Sequence, residues 1–140
     1  MRQRDRHMIK AVIDTNVLVS ALWTKNPNSP TRRILIALLQ GKFIPLHNDE
    51  ILAEYSEVLH RHEFKFNPEK VTEIIESIRN EGLDTARAKA SETFTDPDDR
   101  VFYEVALAEP DAHLVTGNLK HYPTSPIVVT PAQFCELLGL

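Results

Sequence analysis

A few acidic residues and one amide stand out in this 140-residue chain because of the apolar runs they border. Asp14 closes the run Ala11-Val12-Ile13 and is followed by Thr15 and Asn16. Asp96, Asp98 and Asp99 crowd together just ahead of an apolar stretch, and Asn118 follows Thr116-Gly117. Glu54 sits between these clusters in a segment of helical periodicity. Clustered carboxylates repel and raise one another's pKa unless a cation compensates. Mg2+ or Mn2+ would do so, because both take oxygen ligands, retain waters and need only a few carboxylates. An ion held this way can activate water for attack on a phosphodiester and offset charge developing on phosphate.

Which elements could bring these residues together? Lys10 to Asp14 reads as a buried strand, and Thr15 to Leu22 continues as a helix. Ser29-Pro30 looks like a cap and first-turn proline for a second helix, which has Ile34, Leu35, Leu38 and Leu39 on one face and stops at Gly41. Lys42 to Leu46 reads as a short strand with Pro45 expected at its end. Asn48 or Asp49 caps a third helix to about His60, and Asn67-Pro68 opens a fourth that ends near Gly82. Leu83 to Phe94 is ambiguous, with a strand somewhere inside it. Asp96-Pro97 opens a fifth helix to about Glu109, Ala112 to Thr116 and Ile127 to Val129 are strands, and Thr130-Pro131 caps the last helix. Short apolar strands alternating with helices predict a three-layer α/β/α sandwich around a central parallel sheet.

In an open parallel sheet, ligands bind outside the carboxyl ends of the strands. Asp14 and Asn118 fall at such ends, and the Asp96–Asp99 cluster, at the start of the fifth helix, could be delivered to the same edge. In the third helix, Ile51, Leu52, Tyr55, Val58 and Leu59 share one arc, and of the nearby acids Glu54 lies closest to it. Each residue also has an ordinary reading. Asp14 and Asp96 could be caps, Asp98 and Asp99 could favour a helix dipole, Glu54 could be solvated surface, and Asn118 could be turn chemistry. Their joint placement is what points to a site.

Length and composition set the frame. The chain fits one domain, expected over residues 8–140, with residues 1–7 (MRQRDRH) as a flexible basic tail and Met8 an alternative start to Met1. Apolar content of 42% and charged content of 26% suit a soluble globular protein, and one cysteine, Cys135, suits a reducing cytoplasm. No apolar run reaches the roughly 18 residues of a membrane span. The net charge of −4 argues against coating nucleic acid by bulk charge. The histidines form no zinc spacing with Cys135. His121, three residues after Asn118, could approach the cleft. Arg32, Arg33, Lys42, Lys65 and Lys120 could each contact phosphate, and none is singled out. Trp23 could be core or an exposed docking residue, and the apolar stripe Val71, Ile74, Ile75, Ile78 could be buried within the chain or against a partner.

The segments IDTNVLVSAL, DPDDRVFYEVA and LVTGN, with an acid in the third helix between the first two, together resemble the PIN domain. More narrowly they resemble its bacterial branch of toxins from type II toxin–antitoxin pairs. The resemblance runs from about Met8 to the C-terminus. It implies an α/β/α fold and an endoribonuclease that needs Mg2+ or Mn2+. It also implies RNA as substrate, an antitoxin partner and a homodimer. It puts the first motif acid on Asp14 with Asn16 as its polar support, and the second on Glu54. The third acid precedes an apolar residue by three positions and a small one by seven, a register that selects Asp99 before Phe102 and Ala106, with Asp98 as a further candidate. Many family members carry Asp at the fourth position, where this chain has Asn118. An amide can orient a water or hold a ligand but brings no charge, which keeps a binding module without catalysis in view. An aspartate-nucleophile phosphatase would want an acid where Asn16 stands, and a phosphoreceiver would want its acceptor Asp at the end of a later central strand.

Overall fold

The structure, a computed structural model, describes residues 8–140; the tail expected over residues 1–7 lies outside them. Lys10–Ile13 (β1) is fully enclosed from Ala11 onward, as an apolar strand in a sheet covered on both faces must be. It is third in an all-parallel sheet completed by β2 (Ile44–His47), β3 (Leu83–Asp84), β4 (His113–Val115) and β5 (Val128–Val129), in the order β3-β2-β1-β4-β5. The helices are α1 (Thr15–Trp23), α2 (Pro30–Leu39), α3 (Asp49–Leu59), α4 (Pro68–Glu81), α5 (Pro97–Ala108) and α6 (Pro131–Leu138). Together they form the expected α/β/α sandwich.

The order of the strands matters for the site. The chain steps from β1 out to β2 and β3, then returns to the other side of β1 for β4 and β5. The direction of winding therefore reverses between β1 and β4, and such a reversal opens a crevice beyond the carboxyl ends. Asp14 and Thr116 follow those two strands, and the Asp14 N–H donates to the Val115 carbonyl at 2.9 Å.

Most helix starts form where the sequence placed them. Ser29, Asn48, Asn67, Asp96 and Thr130 each accept a backbone N–H of the first turn, and proline follows four of these caps. One expectation is corrected. Pro45 lies inside β2, paired with Ala11, and not at its end. Ile44 donates its N–H toward β1, so the position of Pro45 faces the opposite side, where β3 pairs only from Leu46 onward. The missing donor thus costs no ladder bond. The ambiguous stretch after Gly82 supplies only the two residues of β3 and is otherwise irregular up to α5. The apolar stripe of α4 is settled too, since Val71, Ile74, Ile75 and Ile78 are all buried within the chain.

One buried carboxylate anchors that irregular stretch to the helix that carries Asp99. Glu104, 5% exposed, accepts from Arg87 Nε at 2.7 Å, from the Ala90 N–H at 2.8 Å and from Arg100 Nη1 at 3.3 Å. Burial pushes its pKa up, but the Ala90 N–H and the two arginines outweigh burial and hold it below the ordinary value. At the other end of the stretch Gly82 meets the sheet so closely that a Cβ would stand 2.3 Å from the Pro45 carbonyl oxygen.

Three stability outcomes follow. Glu104→Ala leaves the buried Ala90 N–H without its acceptor, while Arg87 keeps Glu50 and Arg100 keeps the Ala90 and Glu92 carbonyls, and should cost about 1–3 kcal/mol in urea denaturation. Arg61→Ala, which removes only an exposed pair with Glu57, should cost less than about 1 kcal/mol. Gly82→Ala should cost at least about 2 kcal/mol, because the clash is with backbone that cannot turn aside.

Candidate functional site

Asp14 stands at the N-cap position of α1, yet its side chain makes no capping hydrogen bond. It turns instead into the crevice between β1 and β4. There its Oδ2 accepts from Thr116 Oγ1 at 2.8 Å, Tyr122 Oη at 3.0 Å and Asn16 Nδ2 at 3.2 Å. Asp14 is 6% exposed. Burial raises its pKa, and the Thr116 and Tyr122 hydrogen bonds work against that rise without cancelling it.

Glu54 reaches the same place from α3. Its Oε2 accepts a hydrogen bond from Thr15 Oγ1, the residue directly after Asp14. The register is fixed one residue on, where the buried Tyr55 hydroxyl donates to the Ile13 carbonyl at the end of β1. Glu50 and Glu57, the other acids of that helix, point away and pair with Arg87 and Arg61. Partial burial raises the Glu54 pKa, Thr15 lowers it, and the nearby charges of Asp14, Asp98 and Asp99 raise it further.

α5 brings the third acid. Asp96 is a cap, accepting the Asp98 N–H at 2.9 Å, and Asp98 is exposed. Asp99 is partly buried, and its carboxyl is pushed up to about 6, first by desolvation and then by the charges of Asp14 and Asp96. His121 Nδ1 lies 3.6 Å from Asp99 Oδ2 and, when protonated, opposes this rise. His121 approaches Asp99 as its spacing allowed.

Asn118 is exposed and precedes a 3₁₀ turn, Leu119–His121. With Gly117, Lys120, His121 and Thr130 it lines an open cleft of about 430 Å³. Asn16 bridges the two sides, donating to Asp14 and accepting the Gly117 N–H at 3.3 Å. Arg32, by contrast, is spent on structure, with Nε on the Ala21 carbonyl and Nη2 on that of Thr24. Trp23 is 62% exposed, with its ring edge against Phe64 and Phe66.

Does this donor set suit a metal? The charge of Asp14 raises the pKa of both Glu54 and Asp99, that of Asp99 raises Glu54 as well, and among the described residues no lysine or arginine pairs with any of the three. All their donor atoms are carboxylate oxygens, the chemistry of a hard cation. Among the described residues no three His, Cys, Asp or Glu side chains close into a metal cage. Mg2+ does not require one, since it is typically held by one or two carboxylates with water and substrate phosphate completing its shell. The residues fit such an ion in an open site.

Sequence reading missed Thr15, Thr116 and Tyr122 as partners of the acids. Thr116 was visible only as the end of a strand, and Tyr122 gave no signal, since it meets Asp14 across 108 positions of chain.

A family model described as the PIN domain matches residues 10–120. That span holds Asp14, Glu54, Asp99 and Asn118. No curated protein and no solved structure matches the chain.

The raised Asp99 carboxyl has a sign that can be checked without activity. With a folded value near 6 against an ordinary 3.8, the folded state binds the proton more tightly. The ionised carboxylate therefore costs stability as pH rises through about 4 to 6, and the cost is complete above that window. Asp99→Asn in metal-free protein should melt about 2–5 °C above the parent at pH 7.5. The gap should close by pH 4, and a gap constant across this range would contradict the assignment.

Proposed function

The chain belongs to the PIN-domain family, and on that premise we propose that it is a metal-dependent endoribonuclease. PIN domains are generally nucleases and generally use divalent metals. The observation that carries the reading is the uncompensated acid cluster of Asp14, Glu54 and Asp99 beside the reversal between β1 and β4. These three would hold Mg2+ or Mn2+, with Asp98 a further candidate. The bound ion would supply a water activated for attack on the phosphodiester and positive charge against the phosphate. The residues around it have their own tasks. Thr116, Tyr122 and Asn16 fix the Asp14 carboxylate, Thr15 fixes Glu54, and His121 flanks Asp99. Asn118 and Lys120 line the cleft through which an RNA strand would leave the acids.

The same proposal makes the chain the toxin of a type II pair acting in the cytoplasm, with an antitoxin protein and a second copy of itself as partners. The order of its motifs supports this. So do Trp23, Ile36 and Leu39, exposed apolar side chains on α1 and α2 of the kind that interfaces cover. Among the described residues no helix is long and apolar enough to cross a membrane. A second reading, a PIN-like module that binds RNA or protein without appreciable cleavage, draws on one observation: the exposed, neutral Asn118 at the fourth position.

Partner-free protein incubated with labelled RNAs in Mg2+, Mn2+ or EDTA separates the two. The nuclease reading expects cleavage that needs metal and falls at least about 100-fold in Asp14→Asn and in Asp99→Asn. Cleavage that survives both substitutions would sink the assignment. Tight RNA binding with no cleavage under any metal would favour the second reading, and Asn118→Asp then asks whether the missing charge restores activity.

A further inference from the structure

Three side-chain donors meet one oxygen of Asp14. Thr116 Oγ1, Tyr122 Oη and Asn16 Nδ2 all lie on Oδ2, at 2.8, 3.0 and 3.2 Å. A carboxylate oxygen offers two lone pairs, so these donors fill Oδ2 and leave it no room for a cation. Asn16 is the longest of the three and also holds the Gly117 N–H. The two hydroxyls are the firm ones. The Tyr122 ring is itself fixed, 6% exposed and edge-on to Phe94 at 6.3 Å between ring centres.

We propose that Tyr122, acting with Thr116, is a specificity-determining residue for the cation: it occupies Asp14 Oδ2 and restricts this carboxylate to a single oxygen toward a metal. The proposal rests on the metal-dependent reading above and says which ion that site prefers. Ca2+ takes six to eight oxygens and readily accepts both oxygens of one carboxylate. Mg2+ and Mn2+ are smaller, and Mg2+ demands near-octahedral geometry with single, well-separated oxygen donors. A carboxylate locked through Oδ2 serves the smaller ions and denies Ca2+ its second contact. Tyr122 is a positioning residue in this scheme, since its hydroxyl touches Asp14 and not the ion.

The test needs no RNA. Metal-free full-length protein is titrated with MgCl2 or CaCl2, and each Kd is read from the rise in melting temperature. The parent is compared with Tyr122→Phe, which keeps the ring, with Thr116→Val, and with the double variant. Mg2+ affinity should fall about 10-fold in Tyr122→Phe, the usual scale for removing a hydrogen bond to a metal ligand. Ca2+ affinity should hold or improve, so the Ca2+/Mg2+ ratio of Kd values drops by about the same factor, and further in the double variant. Equal weakening for both ions would mean a merely structural tyrosine and would overturn the proposal, as would an unchanged ratio. Should Tyr122→Phe fail to fold, Thr116→Val carries the same comparison. A parent that responds to neither ion would remove the metal reading and this inference together. A parent that binds Mg2+ while its variants keep the ratio removes only the inference.

Discussion

A carboxylate buried among apolar strands is expensive unless its charge is met, and Asp14 is that carboxylate. Its place is dictated by β1, whose enclosed residues Ala11, Val12 and Ile13 carry the chain straight to the edge of the sheet. Everything at that edge is arranged around it. β4 lends a carbonyl to its N–H and Thr116 to its side chain. The turn beyond β4 returns Tyr122 to it, and α3 is tied to the same strand end through Tyr55 and to the next residue through Thr15 and Glu54. α5 then adds Asp99, whose charge makes the balance worse rather than better. Neutral donors hold the carboxylate in place, but they do not cancel the collected charge. That residual is what a divalent cation would satisfy.

The acids were legible because each is a local signal. Asp14 ends a strand, the Asp96–Asp99 cluster opens a helix, and Glu54 sits at the margin of an apolar arc. The caps at Ser29, Asn67, Asp96 and Thr130 were legible for the same reason, since a cap and a proline are neighbours in the chain. What holds the acids was not legible. The Thr116 and Tyr122 bonds to Asp14 span 102 and 108 positions, and no periodicity reports a contact of that kind. Pro45 misled for a related reason. Proline inside a strand is forbidden only where its missing N–H faces a partner, and the stagger of β3 against β2 is a property of the assembled sheet.

The amide at position 118 gives the site its particular character. A fourth acid there would add negative charge to a cluster already short of cations. Asn118 instead sits in a cleft that also carries Lys120 and His121. One side of the site is thus acidic and the other neutral to basic. A nuclease can use that asymmetry, with the metal on the acidic side and phosphate on the other. The chain's net charge of −4 conceals this division, because bulk charge says nothing about where the charges stand.

Where a cation sits is the most direct test of the account. Crystals of the protein grown without metal and soaked in MnCl2 would locate it by anomalous scattering. The account expects a peak bounded by the carboxylates of Asp14, Glu54 and Asp99 that disappears in Asp14→Asn. A peak elsewhere on the molecule, or a soaked crystal in which those three carboxylates stay bare while the ion binds at other residues, would contradict it.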